Sequence, residues 1–220
     1  MSRRRGLSFA LVAVLLAGCA ASKAGEVERL RARAAHERGL AALAERQRGE
    51  ALVALQEAVA LEPGDAGYHD SLGLLLLDLG QVDQAVEQFK KALDLDPQFA
   101  DSHFHLGTAL AEANRWEEAV QSYRAALALP TLTVPDFTHQ NLGLALYHLK
   151  RFGEAEQSLR FALSLDPEMQ AAYYNLGLVL VAEDRKEEAK AAFRQARKLS
   201  PESTLGQAAR ERLRALGDEG

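Results

Sequence analysis

The sequence predicts an all-α superhelix of about five stacked helical hairpins closed by a C-terminal helix. Three observations predict it. Glycines fall at Gly39, Gly73, Gly107, Gly143 and Gly177, in steps of 34, 34, 36 and 34. Alanines keep the same phase in two columns, Ala51, Ala85, Ala119, Ala155 and Ala189, then Ala58, Ala92, Ala126, Ala162 and Ala196. Prolines close the units at Pro63, Pro97, Pro167 and Pro201. Independent columns that hold one period mark a repeat array, in which each unit buries its apolar side only against its neighbours.

The chain opens with a different signal. Arg3, Arg4 and Arg5 precede an apolar run from Leu7 to Ala17, and small residues lead into Cys19. A positive start, a short apolar stretch and a small-residue exit read as a secretory signal peptide over 1–18. The run is shorter than the roughly 20 residues a membrane-spanning helix needs. The order Leu16-Ala17-Gly18-Cys19 resembles the bacterial lipobox. That resemblance implies cleavage before Cys19, a diacylglycerol on its sulfur, and, with Ala20 following, residence at the periplasmic face of the outer membrane. Acyl chains anchor by burying methylenes at roughly 0.8 kcal/mol each. Residues 19–31 are then a lipidated tether, and the covalent lipid is the only non-protein group expected, with no cofactor.

Cys19 is the single cysteine, so no intramolecular disulfide can form and packing alone must stabilise the fold. The net charge of −5 becomes about −8 once the three leader arginines are removed. An acidic balance argues against nucleic-acid binding, which would need a basic face for the phosphates.

Within a unit such as 66–99, apolar residues recur three and four apart and give two helices. Gly73 and Ala85 are small, which lets the two helices approach closely, and Phe89 and Ala92 occupy the inner face of the second. Pro97 ends that helix and biases Asp96 away from helical geometry. Gly80 and Asn114 sit in the turns between helices, where a left-handed backbone is tolerated. The units run 32–65, 66–99, 100–135, 136–169 and 170–203, and 204–220 forms the capping helix and tail. Arg38 replaces the leucine of the other units (Leu72, Leu106, Leu142, Leu176), as a more polar terminal repeat requires.

These columns resemble the tetratricopeptide repeat, a helix–turn–helix of 34 residues. The segments SLGLLLLDLGQVDQAVEQFKKALDLDP and NLGLVLVAEDRKEEAKAAFRQARKLSP carry the likeness. The one 36-residue step lies in LPTLTVPDFTHQNLG, where Pro130 and Pro135 bracket an insertion of the kind surface loops accept cheaply. Together with the lipobox, that link resembles the lipoproteins of type IV pilus assembly, the pilotin family. This implies a role in localising and assembling the secretin, the ring-shaped outer-membrane pore. That family commonly has about six repeats; five and a cap are found.

The resemblance also implies that the first helix of each unit lines a concave groove that binds protein. The matching residues are Asp70, Leu74 and Leu77; Phe104, Thr108 and Ala111; Phe137, Gln140, Leu144 and Tyr147; Tyr174, Leu178 and Val181. Large aromatics suit anchoring positions in such a groove, although aromatics at helical spacing also pack between units. Asn141 and Asn175 precede the Leu-Gly pairs, where an asparagine of peptide-binding relatives holds a ligand's backbone through its amide. No lysine or arginine ladder for binding a C-terminal carboxylate follows these positions. His69, His103 and His139 share one repeat position, spaced too far apart for one ion with ligand bonds near 2.1 Å, and read as interhelix packing. Glu117-Glu118 and Glu187-Glu188 lie beside Arg115 and Lys190 as solvated charge. No phosphate loop, nucleophile elbow or zinc-protease motif occurs, so neither an enzyme nor a small-molecule substrate is expected. An adaptor for peptidoglycan enzymes and a component of outer-membrane protein assembly stand as alternatives to the secretin role.

Overall fold

The computed structural model describes residues 25–218, which form eleven α-helices and no strand. Helix α1 covers 25–44. It is followed by α2 (Arg48–Leu61), α3 (Ala66–Asp78), α4 (Val82–Leu95), α5 (Ala100–Glu112) and α6 (Trp116–Leu127). Then come α7 (Pro135–His148), α8 (Phe152–Leu165), α9 (Gln170–Ala182), α10 (Lys186–Leu199) and α11 (Thr204–Ala215). The leader and Cys19 lie outside the described residues. Helix α1 is already formed at residue 25, so the last part of the segment read as tether is helical. Its sequence from Glu26 to Leu30 holds no breaker, and glutamates early in a helix favour its N-terminus.

From α3 to α10 each helix packs on its hairpin partner, and from α2 on each second helix packs on the first helix of the next unit. The first helices also touch one another in succession, α3 with α5, α5 with α7, α7 with α9 and α9 with α11. The first helices therefore form the more closely spaced row of the stack, which is the inner one.

The glycine column has a role more specific than close helix approach. A Cβ on Gly73 would lie 2.6 Å from the Phe89 ring, one on Gly107 2.6 Å from Tyr123, and one on Gly177 2.5 Å from Phe193. Gly143 meets Leu159 and Gly39 meets Leu55 in the same way. Each glycine is the socket for the large side chain sixteen residues later. All five of those side chains are essentially buried. The two alanine columns, also buried throughout, let the second helices sit down onto the first.

The hairpin turns share one geometry. In unit two, Gly80 N–H donates to Leu77 O at 2.9 Å and Gln81 N–H to Leu76 O at 2.8 Å. This paired closure uses a left-handed residue to satisfy the helix's last carbonyls. Gly80 (φ 73°) and Asn114 (φ 58°) occupy that position as the sequence indicates, but so do Arg46, Lys150 and Asp184. Tertiary packing overrides their residue type. Lys150→Gly removes the Cβ penalty of a left-handed residue and is expected to stabilise the fold by about 0.5–1 kcal/mol. Urea unfolding checks this, and a lower midpoint would sink it.

Both ends are capped by sequence. Ser203 caps α11 by accepting from Gly206 N–H at 3.0 Å, and Gln170 Nε2 donates to Ala196 O and Ser200 O at the end of α10. At the other end Arg38 pairs with Glu57, which lets the first unit present charge where inner units present leucine.

The insertion before unit four is tied down. Thr133 donates both its backbone N–H and its hydroxyl to Asp101 Oδ1 at 3.0 Å, which fixes the loop to the start of α5. Pro135 opens α7 at its first turn, where a missing N–H costs nothing.

Candidate functional site: the inner row of first helices

The groove residues divide by exposure. Leu74 is 41% exposed and Phe137 50%, which is high for side chains of this size. Leu77, Phe104, Leu144, Tyr147, Tyr174 and Leu178 are half-buried. Each of these aromatics leans one face on the core: Phe104 on Tyr123 (ring centroids 6.1 Å), Tyr147 on Phe152 (5.9 Å), Tyr174 on Phe193 (5.6 Å). Each ring packs on the second helix of its own unit, not between units, and keeps part of its surface open.

Asp70, Gln140 and Asn175 are buried, with 6%, 8% and 8% of their surface exposed. They offer a partner little to grip, because the adjoining unit covers them. Asp70 instead accepts from His105 Nδ1 at 3.0 Å across the junction of units two and three. Of the two asparagines, Asn141 alone is partly open.

Asn141 lines a pocket of about 300 Å³ between units three and four, with Thr108, Ala111, Glu112, Trp116, Tyr123 and Leu144. Trp116 and Tyr123 belong to the second helix of unit three, outside the first helices to which the resemblance assigns the groove. The signal was present in the sequence: Trp116 is the single tryptophan. Its indole stacks on His148 at 4.0 Å with the planes 7° apart.

Burial pushes the Tyr123 phenol up to about 12, opposed by hydrogen bonds with Thr108 and Asn141. The neutral phenol is thus favoured in the fold. Its stabilising effect is complete below about pH 10, the ordinary tyrosine range, and is lost as pH rises through about 12. Wild type is expected to lose about 2–3 kcal/mol over that window relative to Tyr123→Phe. Denaturant titrations of the two proteins at pH 9 and pH 12 test this, and parallel curves would refute it.

The histidines bond the stack internally. His69 Nε2 donates to Pro63 O at 3.1 Å and His103 Nε2 to Pro97 O at 3.0 Å, each tying a first helix to the turn before it. In unit four the residue six before His139 is Thr133, inside the insertion. His139 Nδ1 is buried without a hydrogen bond there, its pKa lowered by burial, and its ring lies 4.4 Å from Phe161. Among the described residues no three His, Cys, Asp or Glu side chains gather as a metal site, and no helix is long and apolar enough to cross a membrane.

The acidic pairs of the second helices lie in ion pairs. Arg115 binds Glu118, Arg151 binds Glu117 and Glu154, and Lys190 binds Glu187. Arg124–Glu154 and Arg185–Glu156 extend the lattice across units. Exposed pairs of this kind contribute little each, because solvent and salt screen them.

Several solved structures share this architecture. PilW, a widely conserved type IV pilus biogenesis factor, superposes with a TM-score of 0.75 at 21% identity, over 85% of this chain and 86% of its own. PilF of Pseudomonas aeruginosa gives 0.73 at 22% identity, over 87% and 86%. YrrB, a TPR protein with an unusual peptide-binding site, gives 0.71 at 20% identity, over 86% and 97%. Likeness at these identities is one of fold. No curated protein sequence matches the chain. The family model of the cilia and flagella-associated protein 70 C-terminal domain matches residues 33–215, from within α1 to the end of the closing helix. The chain belongs to this tetratricopeptide-repeat family.

Proposed function

We propose that this protein is a lipid-anchored scaffold of the bacterial envelope that assists assembly and localisation of a type IV pilus secretin. The observation that carries the reading is the inner row itself. Its apolar side chains are propped half-open by the core instead of being folded into it, and solenoids of this kind bind through such surfaces. Fold likeness to PilF and PilW supports the pilus setting, and the lipobox at Cys19 supports the outer-membrane address. The protein acts by binding, not by catalysis. A groove held near the bilayer raises the local concentration of a secretin segment until subunits oligomerise.

The test is an immunoblot of unheated membranes for secretin multimers, with and without this gene. Loss of multimers while monomer persists is the expected result. Unchanged multimers would end the pilus reading and return attention to peptidoglycan enzymes or outer-membrane protein assembly. Labelled palmitate should reach the protein in wild type but not in Cys19→Ser, and label on both would refute the anchor.

A further inference from the structure

The inner row is not uniform. One column carries Leu40, Leu74, Leu144 and Leu178 but Thr108 in unit three; the column three residues on carries Leu43, Leu77, Tyr147 and Val181 but Ala111. Both large residues are lost in the same unit, and the pocket of about 300 Å³ opens there. At the neighbouring junctions the corresponding space is occupied. His105 covers Phe89 at 5.7 Å between units two and three, and Tyr147 covers Phe152 at 5.9 Å ahead of unit five.

The chemistry of the hole is equally particular. Its wall is the Trp116 indole and its floor the Tyr123 phenol, while the exposed Glu112 stands at the rim. Glu112 has no ion pair within the described residues, whereas the acidic groups of the second helices are largely paired. No lysine or arginine lines the hole.

We infer that this hole is a specificity pocket for a lysine or arginine side chain of the segment bound in the groove. The inference rests on the groove being the binding surface, as proposed above. The methylene stem lies along Leu144 and the indole, which itself attracts cations, and the charged end meets Glu112. An acidic side chain would be repelled by Glu112, and a purely apolar one would cover that carboxylate without offering it a counterion. The partner segment is accordingly apolar along the row and basic at the position that faces unit three.

The experiment is selection of displayed twelve-residue peptides, tryptophan excluded, on the purified full-length protein in detergent, with Leu74→Glu as the groove control. Affinities are read from the fluorescence of Trp116, the chain's one tryptophan. Groove-bound peptides are expected to share one basic position. Replacing that residue by methionine should weaken binding about three- to five-fold, as should Glu112→Gln, and the two changes together should cost no more than either alone. Ala111→Leu, which refills the hole, should remove the preference for a basic residue.

Groove-bound peptides without a common basic position would overturn the inference and leave the groove reading intact. So would a methionine replacement that costs the same in Glu112→Gln as in wild type. Failure to select any peptide sensitive to Leu74→Glu would overturn the groove reading and this inference with it.

Discussion

Gly177→Ala is expected to destabilise the protein in the wild-type background and to stabilise it once Phe193 is alanine. In wild type the new Cβ would sit 2.5 Å from the Phe193 ring, and that ring is fully buried, so it has no free space to move into. Overpacking of this kind costs about 1–3 kcal/mol, more than the roughly 1 kcal/mol gained when alanine replaces glycine inside a helix. Phe193→Ala alone empties the socket and should cost about 3–5 kcal/mol. With the ring gone, only the helix-propensity term of Gly177→Ala remains, and the sign reverses. Denaturant unfolding of the four proteins measures the cycle. Additive effects of the two substitutions would show that the glycine is required for some reason other than the side chain sixteen residues later. The same reversal is expected at Gly73 with Phe89, because the socket repeats there.

The double substitution Leu74→Glu with Phe137→Glu is expected to abolish secretin multimers while leaving the helical content and unfolding midpoint close to wild type. About half of each side chain is open, at 41% and 50%, and neither belongs to the buried core, so their exchange removes little of it. Surface substitutions away from special features usually change stability by about 0.5 kcal/mol or less. Apolar anchors at an interface, by contrast, can be worth about 2 kcal/mol each when removed, roughly thirty-fold in affinity. The checks are circular dichroism on the purified variant and the multimer immunoblot on cells that express it. Normal multimers from a folded variant would mean that the inner row is not the surface that acts on the secretin. Phe161, 50% exposed on a second helix, would then be the next residue to change.

Period, hairpin number and the closing helix were legible in the sequence because they follow from steric requirements that recur every unit. A helix packed against a partner needs small residues at fixed intervals, and a stop after the second helix needs a proline or a turn. Those needs leave columns that can be read without coordinates, as Gly73, Ala85 and Pro97 do in unit two. The turn at Lys150 was not legible, because a lysine gives no local sign of a left-handed backbone and only the packing of the flanking helices imposes it. The tie from Thr133 to Asp101 joins residues 32 positions apart, and no periodicity announces it.

The groove shows the same division more sharply. Candidate residues could be assigned to the first helices from their register alone. Which of them stay open depends on what the adjoining unit covers. Asn141 and Asn175 hold the same repeat position, yet only Asn175 is buried. The pocket at unit three arises from two small residues on α5, an indole at the start of α6 and side chains of α7. Sequence determined the array, because repetition writes local sterics into columns; only the tertiary structure decided which candidate residues stay open, because exposure is a property of neighbouring units in contact and not of any residue in its own repeat.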